Sequence, residues 1–239
     1  WNVALSKDGS FAYGWPTGQW AMVGSLTSAG GGFPGAALRL SPVAGGGFAG
    51  QMFIDPYDSG TARLAFDPVR FVAGKDGSTH ISTSVRLDGP LEGGGVRGLT
   101  LPIDAVMRTG GELSVNARCT PVKFATLHYG SLRLGPQVLD MCPQRGGALL
   151  QTGHRGFAGG ALIRSLRLKG MLGDSAMLLT AQDTQFALGS GQFSLTNANL
   201  VLGQGPAPVR LAAARLSGAS LAGGLGGTAH NVQAQIGSI

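Results

Sequence analysis

Four histidines, His80, His128, His154 and His230, are the side chains best suited to acid–base or metal chemistry near neutral pH. No two of them form a His-x-His or His-x-x-x-His pair, the spacings that put two imidazoles on one face of a strand or helix. Each reads as a surface or strand-end residue. Asp55, Asp58 and Asp67 flank proline-containing turn sequences, where Asx-turn bonding accounts for them without a catalytic carboxylate pair. Gly74-Lys75-Asp76-Gly77-Ser78 contains the residue types of a phosphate loop but not their order or spacing. Gly30-Gly31-Gly32-Phe33-Pro34-Gly35 is glycine-dense, yet holds a proline and leads into no helical pattern. No Gly-x-Ser-x-Gly nucleophile elbow occurs. The expectation is a chain that is not an enzyme, with no cofactor and no metal site.

The two cysteines, Cys119 and Cys142, are the most specific feature. They lack the Cys-x-x-Cys spacing of zinc ligands. Both stand near proline, in Cys119-Thr120-Pro121 and Cys142-Pro143. In an exported protein an even pair reads as a disulfide, with buried free thiols as the other reading.

The elements around these residues are read from patterning. Ser131-Leu132-Arg133-Leu134, Ser165-Leu166-Arg167-Leu168-Lys169, Gln192-Phe193-Ser194-Leu195-Thr196 and Val209-Arg210-Leu211 alternate apolar with polar residues. Alternation sends the two sets to opposite faces of a strand. Turn signals such as Gly89-Pro90, Gly93-Gly94-Gly95, Gly110-Gly111, Gly146-Gly147, Gly159-Gly160 and Gly205-Pro206 close the runs. That rhythm gives on the order of 18–20 strands, and one per rank at ~4.8 Å makes a sheet roughly 90 Å long. One helical turn is read after Thr120, with Thr120 as cap, Pro121 at the first helical position, and Phe124 and Leu127 on one face. An extended Pro-containing loop is the other reading of that stretch. Residues 1–60, with Trp1, Trp15, Trp20 and Tyr57, form an N-terminal β segment continuing an upstream sheet, and residues 61–239 form the main β region.

Composition agrees. Of 239 residues, 42 are glycine, which disfavours long helices. Charged residues make up only 13%, against roughly 25% in an average soluble chain. The net charge of +6 suits anionic surfaces, but Arg133, Arg164, Arg167 and Lys169 stand singly among apolar neighbours. Without basic runs or an aromatic stacking platform, nucleic acid is not expected as a partner. No apolar stretch reaches the ~18–20 residues of a spanning helix. The start at Trp1-Asn2-Val3 is read as the middle of a strand, with any export signal or anchor upstream.

The stretch from Cys119-Thr120-Pro121 through Phe124, Leu127 and Gly130-Ser131-Leu132-Arg133-Leu134 to Leu139-Asp140-Met141-Cys142-Pro143 resembles the YdbH family of AsmA-like proteins. Leu87-Asp88-Gly89-Pro90, Gly98-Leu99-Thr100-Leu101-Pro102 and Leu168-Lys169-Gly170-Met171-Leu172-Gly173-Asp174-Ser175 are similar to it as well. The resemblance covers roughly residues 60–239 and implies a bridge-like lipid transporter in the periplasm of a Gram-negative bacterium, anchored to the inner membrane. Its fold would be all-β: an elongated, curved antiparallel sheet forming an apolar groove, with few short helical turns. Phospholipid is the implied partner, and another envelope protein such as an outer-membrane lipoprotein is a candidate to add strands at the sheet edge. The candidate groove residues are Leu132, Leu134, Leu166, Leu168, Phe193, Leu195, Val209 and Leu211. A groove implies that an acidic or basic replacement at Leu134 or Leu168 still reaches water; a sealed core implies that it does not. The competing reading is a structural or adhesive β-solenoid with a filled core.

Overall fold

The computed structural model describes residues 2–5, 10–14, 19–30, 33–43, 46–144, 146–153, 156–204, 207–221 and 224–237. Among them there is no helix, and every strand pairing is antiparallel. The first strands are β1 (Asn2–Leu5), β2 (Ser10–Gly14), β3 (Gln19–Gly30), β4 (Phe33–Pro42) and β5 (Phe48–Ile54). β3 lies between β1 and β4 along its second half and pairs with β2 along its first, and β4 pairs with β5. Next come β6 (Tyr57–Ser59), β7 (Ala62–Phe66), β8 (Val69–Ala73), β9 (Thr79–Leu91) and β10 (Gly94–Met107). β5 pairs with β8, β6 with β7, and both β7 and β8 lie along β9. Ladders therefore run across residue 60 without a break.

β9 and β10 form a long hairpin with a register shift between Val96 and Leu99. Gly98, at φ +63°, takes up the extra residue. Its N–H donates to the carboxylate of Asp88 on the partner strand. Gly89-Pro90, a turn signal in the sequence, lies inside β9 opposite Val96 and Gly95. The chain instead reverses at Glu92-Gly93.

Beyond β10 the ranks are broken. β11 (Leu113–Val115), β12 (Thr120–Phe124) and β13 (Thr126–Tyr129) share the far side of β10. β14 (Leu132–Leu134), β15 (Gln137–Pro143) and β16 (Leu150–Gly153) continue each of them in the next rank. Because short strands share ranks, the sheet is shorter than one strand per rank would make it.

The helical turn read after Thr120 is absent: Thr120–Phe124 is strand β12, with Thr120, Val122 and Phe124 buried and Pro121 and Lys123 exposed. Two neighbouring strands reward extension by burying those alternate side chains, which outweighs a single local cap. Proline leaves its trace, since Pro121 has no N–H to donate and β12 bridges β10 only at Thr100↔Lys123. Asn116 fills the gap beside it. Its Nδ2 donates to Pro102 O at 2.9 Å, and its Oδ1 accepts from Asp104 N at 2.7 Å. Its backbone N–H donates to Asp104 O at 2.7 Å.

The last strands are β17 (Gly156–Ala158), β18 (Gly160–Leu172), β19 (Ser175–Ala187), β20 (Gln192–Leu202), β21 (Val209–Leu221) and β22 (Gly224–Ile236). β14 and β15 dock on β18, and β18 to β22 follow as plain hairpins. A 13-residue strand such as β18 is about 43 Å long.

Candidate functional site

Register decides which side chains share a face. One row runs through Val96, Leu127, Leu134, Gly170, Met177, Leu202, Val209 and Ile236, each opposite the next on adjacent strands. Eight strands thus align one apolar line with no polar side chain in it. Met177 packs with Leu134 across Gly170, which offers no side chain between them. A second row holds Leu168, Leu179, Leu200, Leu211 and Ala234. Leu139, Leu168 and Leu179 touch both buried clusters, so the apolar face is continuous from β10 to β20.

The face also crosses an interruption. Ile163 and Leu166 pack in the same cluster, as do Leu195 and Ala198. Simple alternation puts residues three apart on opposite faces. The difference is made by Ser165, Asn197 and Asn231, which adopt φ of +53°, +51° and +52°. They lie on every second strand, in line across the sheet, and the ladder is interrupted at each while the flanking register is unchanged. A left-handed residue turns its strand so that the apolar set stays inside on both sides of it. Asn is among the residues that tolerate this conformation. Asn197 Nδ2 also donates to Gln182 Oε1 at 2.7 Å across the crease. Thr184, between Ile163 and Leu195, is the one hydroxyl in its row, and its buried Oγ1 has no partner among the described residues.

The expected groove residues all fall on this face, with unequal burial. Leu134 and Leu166 are 6% exposed and Leu195 7%. Leu132, Leu168, Phe193 and Val209 are half-buried. Side chains on an uncovered flat sheet keep much of their surface, so the face is closed over in its middle. It opens toward the last strand: Leu211 is 37% exposed, Val232 54% and Ile236 77%. Leu134 therefore does not reach water as a groove residue would, and a charge there is buried; Leu211 is where a substituted side chain stays solvated. Val232 and Ile236 were missed in the sequence, although Val232-Gln233-Ala234-Gln235-Ile236 alternates there too.

Cys119 and Cys142 form a disulfide. The register Thr120↔Met141 sets the two cysteines opposite one another at the end of the β12–β15 ladder. His80 stands opposite Val72 and Val106, His128 opposite Gly95 and Arg133, and His230 opposite Arg215. His154 lies outside the described residues. Among the described residues no group of three or more His, Cys, Asp or Glu is placed to hold a metal. Asp67 pairs with Arg86, and Asp58 with Arg63 at 3.4 Å, both at the surface. Asp76 caps its own turn: the Ser78 hydroxyl, then the Ser78 N–H, hold its carboxyl below the usual aspartate range.

No family model matches the chain, and no curated protein or solved structure matches it.

Proposed function

We propose that this chain binds phospholipid by its acyl chains on the apolar sheet face and passes it along that face, within the periplasm and between the two membranes of a Gram-negative bacterium. The observation that carries the reading is the registered apolar row from Val96 to Ile236, closed in its middle and open at β22. A surface of this kind solvates acyl chains at about 0.8 kcal/mol per buried methylene. Movement along it needs continuity rather than bond chemistry, and the two rows supply apolar contact on each successive strand. The resemblance of residues 119–143 to the YdbH family points the same way. The disulfide suits an oxidising compartment.

Native mass spectrometry of the purified chain tests the proposal. Bound phospholipid is expected, with Leu211→Asp and Val232→Asp losing most of it while retaining the parent melting temperature within a few degrees. Lipid-free protein after purification from membranes, with no lipid taken up on incubation, would sink the reading in favour of a filled-core structural or adhesive protein.

A further inference from the structure

The side of the sheet that faces away from the apolar rows has its own concavity. Gln185, Ser194, Ser217 and Thr228 form one registered row across β19, β20, β21 and β22. They border a cavity of about 620 Å³, within the roughly 300–1,000 Å³ typical of small-ligand sites. Its floor is the cross-strand pair Gly218↔Gly227. Phe193 packs against Gly218 from the apolar side, where a Cβ on that glycine would lie 2.8 Å from Phe193 Cζ. The aromatic ring thus backs a floor that is bare on the polar side.

The wall is completed from elsewhere in the chain. Gln144, just past the disulfide-bonded Cys142, lays its amide over Gly160, 3.0 Å from where a Cβ would stand. Gln192 lies on the same face of β20 as Ser194, and Arg215 borders the floor from β21. Three primary amides and three hydroxyls, of which Ser217 and Thr228 lie 3.5 Å from one another, provide donors and acceptors that suit a polyol. Among the described residues, no side chain bonds Gln144, Gln185, Gln192, Ser194 or Arg215. Among the described residues, Arg215 is the only formal charge in the lining, and no carboxylate faces it there. Asp183, the acid in its row, is two strands away, about 9.6 Å at the usual strand spacing. A lone guanidinium with free donors is suited to one bidentate oxyanion.

We propose that this polar concavity binds an anionic polyol: a ligand with several hydroxyls and a single phosphate. The phosphoglycerol headgroup of a lipid and a phosphorylated sugar share that chemistry. The site lies on the opposite face from the acyl-binding rows, so it stands or falls independently of them.

Titration calorimetry on the chain separates the cases, with sn-glycerol 3-phosphate, glucose 1-phosphate, glucose and inorganic phosphate as probes. At least one of the two phosphorylated polyols is expected to bind tenfold or more tighter than inorganic phosphate and than glucose. Preference for glycerol 3-phosphate assigns the site to a headgroup, and preference for glucose 1-phosphate to a glycan. Arg215→Gln, an exposed position, is expected to weaken binding at least tenfold with an unchanged melting temperature. Ser217→Ala and Gln185→Ala are each expected to weaken it severalfold, and Arg210→Gln not at all. Inorganic phosphate binding as tightly as either polyol phosphate, or equal affinity in Arg215→Gln and the parent, would overturn the proposal.

Discussion

The block from β9 to β16 and the block from β18 to β22 build the same apolar face by different means. The first breaks its ranks into three short strands beyond β10 and adds point contacts: the Cys119–Cys142 disulfide, the Asn116 amide, and, within the β9–β10 hairpin, the Asp88 carboxylate on Gly98. The second runs long unbroken hairpins and makes one adjustment, a line of left-handed residues at Ser165, Asn197 and Asn231. In the first block the core is closed, with Val96 at 3% exposure and Phe124 at 7%. Toward the end of the second it opens. Leu166 and Leu195 in the second block are as buried as Phe124 in the first, so regular hairpins close the face as well as irregular connections do, and it opens only toward the edge strand.

The sharpest way to break that comparison is to put the same charge at the two ends. Leu134→Asp buries an unpaired carboxylate and is expected to destabilise by several kcal/mol, enough to unfold a marginal chain. Leu211→Asp stays solvated and is expected to cost under about 1 kcal/mol. Urea melts of both variants check this; equal losses would mean that the face is sealed throughout.

Reducing the disulfide acts on the first block alone. With a sequence separation of 23, the closed loop is worth about 3 kcal/mol in the chain-entropy model. Native-state hydrogen exchange on Cys119→Ser/Cys142→Ser is expected to show faster opening of β12 and β15, with β20 to β22 unchanged. Uniform acceleration across the sheet would make the two blocks one cooperative unit.

The crease should respond more mildly. Asn197→Val places a β-branched residue at φ +51° and is expected to cost about 1–2 kcal/mol. Ser165→Gly, at φ +53°, relieves the same strain and is expected to be neutral or slightly stabilising. Chemical denaturation of the pair gives the sign directly, and a destabilised Ser165→Gly would remove strain as the explanation.

The smallest effect lies at Asp76, whose carboxyl is held below its usual range by Ser78. A depressed folded-state pKa adds stability above the ordinary aspartate range and loses it as pH falls through the folded value. The turn at residues 74–78 is therefore expected to loosen only in acid. A carboxyl titration by NMR, with Ser78→Ala returning Asp76 toward the normal range, checks the cause.

Much of this was legible in the sequence and some could not be. Alternation located the strands that hold Leu132, Leu166, Phe193 and Val209, and the even cysteine count pointed to the bridge. The stretch from Thr120 to Leu127 misled because cap and proline signals are local, while the two flanking strands that bury Val122 and Phe124 come from distant sequence. Val232 and Ile236 were legible in the alternation Val232-Gln233-Ala234-Gln235-Ile236 and were overlooked; what the sequence hides is that Asn231 keeps Ala229 and Val232 on one face. The polar concavity was illegible as well, since its amides and hydroxyls from four strands and the segment after Cys142 meet only through pairing.

The left-handed line gives the second block a hidden unit of growth. One residue at positive φ on every second strand makes the repeating element a hairpin, even though no sequence motif recurs. Two strands at the usual spacing make this repeat about 9.6 Å across the sheet. The crease of this part of the molecule thus recurs with the hairpin and not with the strand.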